Sequence, residues 1–124
     1  MSPAFWCVFA AGALPFAFTL TAKWSREYNN HTPRLWLETN SGWRQRAHWV
    51  QLNSFEAFPP FAAAVIIAHL CKGPVALANV FALSFVLLRL AYGLAYLANT
   101  ALLRSVLWMA AQGCVIALFV IAAY

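Results

Sequence analysis

The sequence predicts an all-α integral membrane protein, in which residues 1–124 form a single four-helix transmembrane bundle. Of the 124 residues, 64% are hydrophobic and only 9% are charged, whereas a soluble domain carries about 25% charged residues. The polar surface is therefore too small to cover a water-soluble globule. Four apolar runs are long enough to cross about 30 Å of hydrocarbon, which takes a helix of roughly 20 residues.

The four runs predict helices at about 3–24, 44–71, 74–98 and 102–123. The first carries no charge before Lys23 and lacks the basic start of a signal peptide, so we expect it to be retained. The second contains Glu56 and the third contains Arg89. The adjacent Pro59 and Pro60 are expected to kink the second helix, because proline donates no backbone hydrogen bond.

The segment between the first two helices, residues 25–43, is predicted to be a basic cytoplasmic loop. Five of the eight lysines and arginines lie in or beside it: Lys23, Arg26, Arg34, Arg44 and Arg46. The positive-inside bias places such a loop in the cytoplasm and both termini on the opposite side. The lipid bilayer, through its anionic headgroups, is the expected partner of this charge. A nucleic-acid partner is not expected, since no groove of basic and aromatic residues is visible.

Polar residues form one stripe on each of the last three predicted helices. The offsets i, i+3, i+7 and i+10 recur in two of them, and a spacing of four marks the last, so each set shares one helix face. The stripes are Arg46, Trp49, Asn53 and Glu56; Arg89, Tyr92, Tyr96 and Asn99; and Arg104, Trp108 and Gln112, with Ser105 beside them. Ionisable residues in membrane helices usually face the bundle interior and mark a functional site.

Glu56 and Arg89 lie at matching depths, each about 15 Å along its helix from the cytoplasmic end. One possibility is that they form only a structural ion pair that sets the helix register. Asn53, the two tyrosines and Arg104 offer more hydrogen-bonding groups than one pair needs, which favours a polar ligand or a wet cavity. No metal site is expected, because the three cysteines and three histidines lack metal-ligand spacing.

Three motifs occur in order along the chain: N-x-x-E-x-F-P-x-F at 53–61, R-x-x-Y-x-x-x-Y at 89–96, and LRSVLWMAAQ at 103–112. As a set they resemble the MAPEG family, the membrane-associated proteins of eicosanoid and glutathione metabolism, and most of all its short bacterial members. The resemblance implies a homotrimer in a bacterial inner membrane, with glutathione bound between subunits near the cytoplasmic face. It also implies a glutathione-dependent transferase or peroxidase whose second substrate is a hydrophobic electrophile.

Carried over by position, the resemblance implies ligand binding by Arg46, Asn53, Glu56, Arg89, Tyr92 and Tyr96, and catalysis by Arg104 and Ser105. Asn53 and Glu56 would hold the glutathione backbone. Arg104 would favour the thiolate, which is the nucleophilic form of a thiol. One position departs from the family pattern: members that use glutathione commonly carry arginine four residues before the asparagine, where this chain has Trp49. Arg46 lies one turn earlier on the same face.

Two alternatives to this enzyme remain open. The MAPEG family includes a lipoxygenase-activating member that binds lipid without catalysis, so a non-catalytic lipid-binding or accessory subunit of a larger membrane complex fits the same fold. A small proton-coupled exporter also has four helices and a membrane carboxylate. Such exporters usually carry that glutamate in the first helix, and the first helix here has none.

Overall fold

The computed structural model describes all residues from 1 to 124, and its only regular elements are helices. In chain order they are α1 (Pro3–Lys23), α2 (Pro33–Thr39), α3 (Gly42–Leu70), α4 (Val75–Leu97) and α5 (Ala101–Ala122). All but the seven-residue α2 are long and apolar enough to cross a membrane. The predicted all-α architecture with four membrane-length helices is therefore confirmed.

Part of the segment 25–43, which the sequence predicts to be a loop, is helical. Pro33 stands in the first turn of α2, where its missing N–H is harmless because first-turn N–H groups have no helical partner. Leu37 is the buried residue of α2 and packs with Ala22 and Ala47. A helix of this length is marginal by itself, so the contact with α1 and α3 stabilises it, and the sequence pattern alone did not reveal it.

The long helices alternate in direction, as hydrogen bonds at the two ends of the bundle show. At one end, Ser2 Oγ and His69 Nε2 are 2.8 Å apart, which joins the start of α1 to the end of α3. At the other end, the Arg46 side chain donates to the Leu97 carbonyl oxygen, which joins the start of α3 to the end of α4. Within the bundle α1 packs mainly on α3, α4 packs mainly on α5, and α3 also contacts α4 and α5.

Aromatic stacking and small side chains make up the core. The rings of Phe61 and Phe85 stack with centroids 3.9 Å apart and planes 8° apart, and Leu118 of α5 is buried in the same cluster. The alanines of this cluster come from all four long helices: Ala4, Ala11, Ala57, Ala64, Ala78, Ala82 and Ala111. Small residues let helices approach closely in lipid, where packing rather than the hydrophobic effect drives association.

The proline pair lies inside a helix that continues beyond it. Helix α3 runs through Pro59 and Pro60 as far as Leu70, although each proline removes one backbone hydrogen bond. The flanking residues Ala57 and Phe61 are buried in the core. Packing on both sides of the pair therefore holds α3 together where its hydrogen bonding is weakest.

Gly93 lets the ring of Phe18 on α1 pack directly against the backbone of α4. A Cβ atom at this position would overlap the ring of Phe18, with Cε1 only 2.8 Å away, and Phe18 is buried against Val50 and Tyr92. We expect Gly93→Ala to displace this ring and to lower the free energy of unfolding by about 1–3 kcal/mol, the usual cost of overpacking a core. Thermal unfolding in a single detergent measures the change.

Gly113→Ala is the matched control, because a Cβ atom at Gly113 meets no atom within 4 Å beyond the neighbouring backbone of its own helix. Alanine there should leave stability unchanged or raise it, since glycine inside a helix costs about 1 kcal/mol relative to alanine. If Gly93→Ala unfolded at the wild-type temperature, α1 and α4 could separate at no cost and the packing argument would be wrong.

Candidate functional site

Two open cavities adjoin each other where the predicted polar stripes come together. One, of about 400 Å³, is lined on α5 by Arg104, Ser105, Trp108 and Met109. The other, of about 360 Å³, is lined on α3 by Trp49, Leu52 and Glu56. Both are also lined by Asn53, Tyr92 and Tyr96, so they form one continuous surface, which we call the α3–α5 cleft. Its volume lies within the range of ligand pockets, roughly 300–1,000 Å³.

Two tyrosines of α4 form the shared wall of the cleft. Tyr92 and Tyr96 are one helical turn apart and therefore lie on the same face, with ring centroids 5.8 Å apart in an edge-to-face arrangement. Tyr92 is buried against Phe18 of α1 and Val50 of α3. Tyr96 is half-buried, and its ring centroid is 6.2 Å from that of Trp49. Packing within the chain thus positions both rings before any ligand binds.

Arg89 lies beneath the cleft, one turn deeper on α4, and is only 2% exposed. Its Nη2 donates to Asn53 Oδ1 at 2.8 Å and to Ser54 Oγ at 3.4 Å, and its guanidinium lies 4.2 Å from the ring centroid of Tyr92. Its Nη1 has no partner in the chain. Because Arg89 donates to the carbonyl oxygen of the Asn53 amide, the NH₂ group of that amide remains free to donate to a ligand.

Glu56 and Arg89 do not form an ion pair, so the pairing considered from their matching depth is wrong. Successive residues of a helix point about 100° apart, and Ser54 and Glu56 therefore point about 160° apart. Arg89 lies on the side of α3 that carries Asn53 and Ser54, where Ser54 is buried. Glu56 is exposed at the rim of the cleft. Matching depth therefore did not decide which side chains touch, because that depends on how α3 and α4 pack.

Arg104 is the cation of the cleft whose hydrogen-bond donors remain free. It lies in the first turn of α5, where its backbone N–H donates to the Thr100 carbonyl oxygen at 3.0 Å. Its guanidinium lies 4.5 Å from the ring centroid of Tyr96, and its side chain makes no hydrogen bond or ion pair within the chain. Ser105 follows it on the same cavity wall. A guanidinium held by a ring, with unused N–H groups, is suited to bind an anion.

Arg46 lies outside the cleft, although the stripe on α3 includes it. Its Nε and Nη2 donate to the Leu97 carbonyl oxygen at 3.2 and 3.1 Å. The last carbonyl groups of a helix lack helical partners and attract a cation. Arg46 therefore hydrogen-bonds the end of α4 and does not reach the cleft. Trp49, the position at which the sequence departs from the pattern of the family that it resembles, lines the cleft instead.

The structure brings together six of the eight predicted site residues as cleft lining: Asn53, Glu56, Tyr92, Tyr96, Arg104 and Ser105. The other two are Arg89, which supports Asn53 from below, and Arg46, which caps α4. No group of three or more His, Cys, Asp or Glu side chains is gathered as metal ligands would be.

The sequence analysis put Trp108 on the polar stripe of the last helix but not among the site residues, and it did not single out Ser54, Leu52 or Met109. Met109 follows Ser105 by four residues, so the same helical spacing would have found it. Ser54 carried no such signal, because it lies off the polar stripe of α3 and its bond to Arg89 depends on how α3 and α4 pack.

Comparison with known proteins gives a family assignment. The family model described as the MAPEG family matches residues 3–124, nearly the whole chain. A search among individual curated proteins gave no match. With its four membrane-length helices, the family match shows an integral membrane protein and supports a function related to glutathione in general terms. On this match and this architecture, the chain belongs to the MAPEG family.

Proposed function

We propose that the protein is a glutathione-dependent transferase or peroxidase that acts on a hydrophobic electrophile drawn from the bilayer. The observation that carries this proposal is the α3–α5 cleft itself, in which Arg104 has free donors on one side and Glu56 is exposed on the other. Glutathione carries carboxylates and an acidic thiol as well as an ammonium group. A cleft with one free cation and one free carboxylate offers partners to both kinds of charge.

In the proposed complex, Glu56 accepts hydrogen bonds from the ammonium group of glutathione, and the NH₂ group of Asn53 donates to its backbone. The hydroxyl groups of Tyr92 and Tyr96 line the middle of the cleft. The sulfur lies at Arg104, because a neighbouring cation lowers the pKa of a thiol and the thiolate is the nucleophile. In the transferase reaction the thiol first releases its proton to water. The thiolate sulfur then attacks the carbon that bears the halide, and as the carbon–sulfur bond forms the carbon–halogen bond breaks and the halide ion leaves with its electron pair.

We also propose a homotrimer in which neighbouring copies cover the cleft. In the single chain Glu56, Ser105 and Trp108 are exposed, although each lies in a membrane-length helix. A carboxylate that faces lipid is costly, and a neighbouring copy together with a bound ligand would remove it from lipid. The basic segment between α1 and α3 would face the cytoplasm of a bacterial inner membrane, with both termini on the other side.

The direct test is calorimetric titration of glutathione into the detergent-purified protein, followed by a conjugation assay with a hydrophobic aryl halide. We expect saturable binding and a loss of free thiol that requires both the protein and the electrophile. S-methylglutathione is the matched control, because it keeps every binding group except the thiol and should bind without reacting. If glutathione does not bind, both the transferase and the peroxidase are excluded.

A second candidate function is a non-catalytic lipid-binding or accessory subunit of a larger membrane complex. Two observations favour it: Trp49 replaces the arginine that glutathione-using relatives commonly carry, and Arg46 is engaged by the Leu97 carbonyl oxygen. Arg104 is then the single cationic residue that lines the cleft. This function predicts that lipid or a partner protein copurifies with the chain while glutathione does not bind.

Arg89→Met tests whether Arg89 positions Asn53. Burial of a charge without an ionised partner is costly, and removing that cost offsets the loss of the hydrogen bonds to Asn53 and Ser54, so we expect the thermal midpoint to be unchanged. Glutathione affinity should nevertheless fall about fivefold, because the Asn53 amide loses the hydrogen bond that orients it. Unfolding and titration are measured on the same preparation. If the variant unfolded at a lower temperature than the wild type but bound glutathione with unchanged affinity, Arg89 would contribute to stability alone.

A further inference from the structure

A second polar cavity lies at the end of the bundle where α1 ends and α3 begins. It measures about 500 Å³ and is lined by Lys23, Trp24, Ser25, Arg26 and Arg44. It shares no lining residue with the α3–α5 cleft. Three of its five lining residues are cationic and none is acidic, and we call this cavity the basic cleft.

Arg44 is held in position before any ligand arrives. Its Nε and Nη2 donate to the Trp24 carbonyl oxygen at 3.2 and 2.8 Å, and its guanidinium lies 4.4 Å from the ring centroid of Trp43. These contacts orient the guanidinium and leave Nη1 without a partner. An arginine that is already ordered loses little conformational freedom when it binds a further acceptor.

The other two cations of the basic cleft also lack acidic partners. Lys23 ends α1, with its Nζ 5.2 Å from the ring centroid of Tyr28. Arg26 is exposed and makes no side-chain hydrogen bond. The two carboxylates of this part of the chain, Glu27 and Glu38, line no part of the cavity and form no ion pair with these residues. Three positive charges therefore converge on one cavity without compensation.

The basic cleft opens at the level of lipid headgroups. Helix α1 has 21 residues, which at 1.5 Å per residue makes about 31 Å, the thickness of the hydrocarbon layer. Lys23 therefore ends the span at the boundary of the bilayer. Trp24, which follows it, is 80% exposed, and tryptophan is enriched at this depth in membrane proteins.

We propose that the basic cleft binds the phosphate of one anionic phospholipid from the surrounding bilayer, at a site separate from the α3–α5 cleft. A phosphodiester supplies a negative charge and oxygen acceptors, and arginine donors bind such oxygens through charge-assisted hydrogen bonds. A loop with scattered charges attracts anionic lipid only diffusely. The convergence of Lys23, Arg26 and Arg44, with Arg44 already ordered, makes a defined site for one headgroup.

The test is native mass spectrometry of the full chain in its purified assembly, titrated with phosphatidylglycerol or with phosphatidylcholine. We expect the wild type to prefer phosphatidylglycerol, with one molecule bound per chain. Arg44→Gln should weaken this binding about tenfold through the loss of a charge-assisted hydrogen bond, and Arg26→Gln about fivefold through the loss of one charge near the membrane surface. Arg34→Gln, which removes the same charge from α2 outside the cavity, should change affinity by less than about twofold.

Each outcome decides the proposal. If all three variants lost affinity for phosphatidylglycerol equally, the lipid would be held by a diffuse surface potential and the proposed site would be wrong. A wild type that does not prefer phosphatidylglycerol over phosphatidylcholine would also overturn the proposal. Arg26→Gln removes an exposed side chain that makes no hydrogen bond or ion pair within the chain, so it still tests the site if Arg44→Gln does not fold. Inorganic phosphate at the same concentration should fail to displace the lipid. Displacement that depends on Arg26 and Arg44 would assign the site to soluble phosphate instead.

Discussion

Replacing Arg104 with alanine is expected to weaken glutathione binding about tenfold or more, because a charge-assisted hydrogen bond contributes about 1.5–3 kcal/mol. The guanidinium has free donors in the α3–α5 cleft and is held over the ring of Tyr96. The same change should raise the pKa of the bound thiol, since the cation that stabilises the thiolate is lost. Conjugation by the variant should therefore be slower near neutral pH and should recover as the pH rises.

Titration calorimetry measures the affinity, and the ultraviolet absorbance of the thiolate as a function of pH measures the thiol pKa. Arg34→Ala is the matched control, because it removes an exposed arginine that does not line the cleft. Arg104→Lys should recover part of the pKa shift and less of the affinity, since lysine keeps the charge but loses the planar fork of donors. If Arg104→Ala bound glutathione with wild-type affinity and left the thiol pKa unchanged, Arg104 would have no role in the reaction.

Glu56→Gln is expected to weaken glutathione binding by a similar factor, about tenfold or more, because the ammonium group loses its ionised partner. Glutamine preserves the shape of the side chain and one acceptor oxygen, so the variant isolates the effect of the charge. The molecular mass of the assembly in detergent should be unchanged, because in the proposed complex Glu56 binds glutathione and not a residue of a neighbouring copy.

Glu38→Gln is the control for this variant, since Glu38 is an exposed carboxylate on α2 that does not line the α3–α5 cleft. Affinity is measured by titration, and mass by light scattering on the same sample. If Glu56→Gln dissociated the assembly and the wild type bound no glutathione, the carboxylate would serve assembly and the accessory function would be favoured. If affinity and mass were both unchanged, the proposed orientation of glutathione would be wrong.

The sequence alone predicted which residues of the candidate site share a helix face. Helical spacing connects Asn53 with Glu56 and Tyr92 with Tyr96, and all four line the cleft. This spacing is informative because residues three or four apart lie on one helix face whatever the helix packs against. The same spacing placed Arg46 on the stripe of α3, yet Arg46 caps α4, because the unpaired carbonyl groups at a helix end attract nearby donors.

The sequence by itself determined the fold class and the four membrane-length helices. In lipid every backbone N–H and C=O group must find its hydrogen-bond partner within the protein. A single apolar run of sufficient length meets this requirement by forming a helix. Only the tertiary structure decided which side chains meet across helices: it joined Arg89 to Asn53 and Ser54 rather than to Glu56. Depth follows from counting residues, but the rotation of one helix against another follows from packing, such as that of Phe18 on Gly93, which no pattern within one helix specifies.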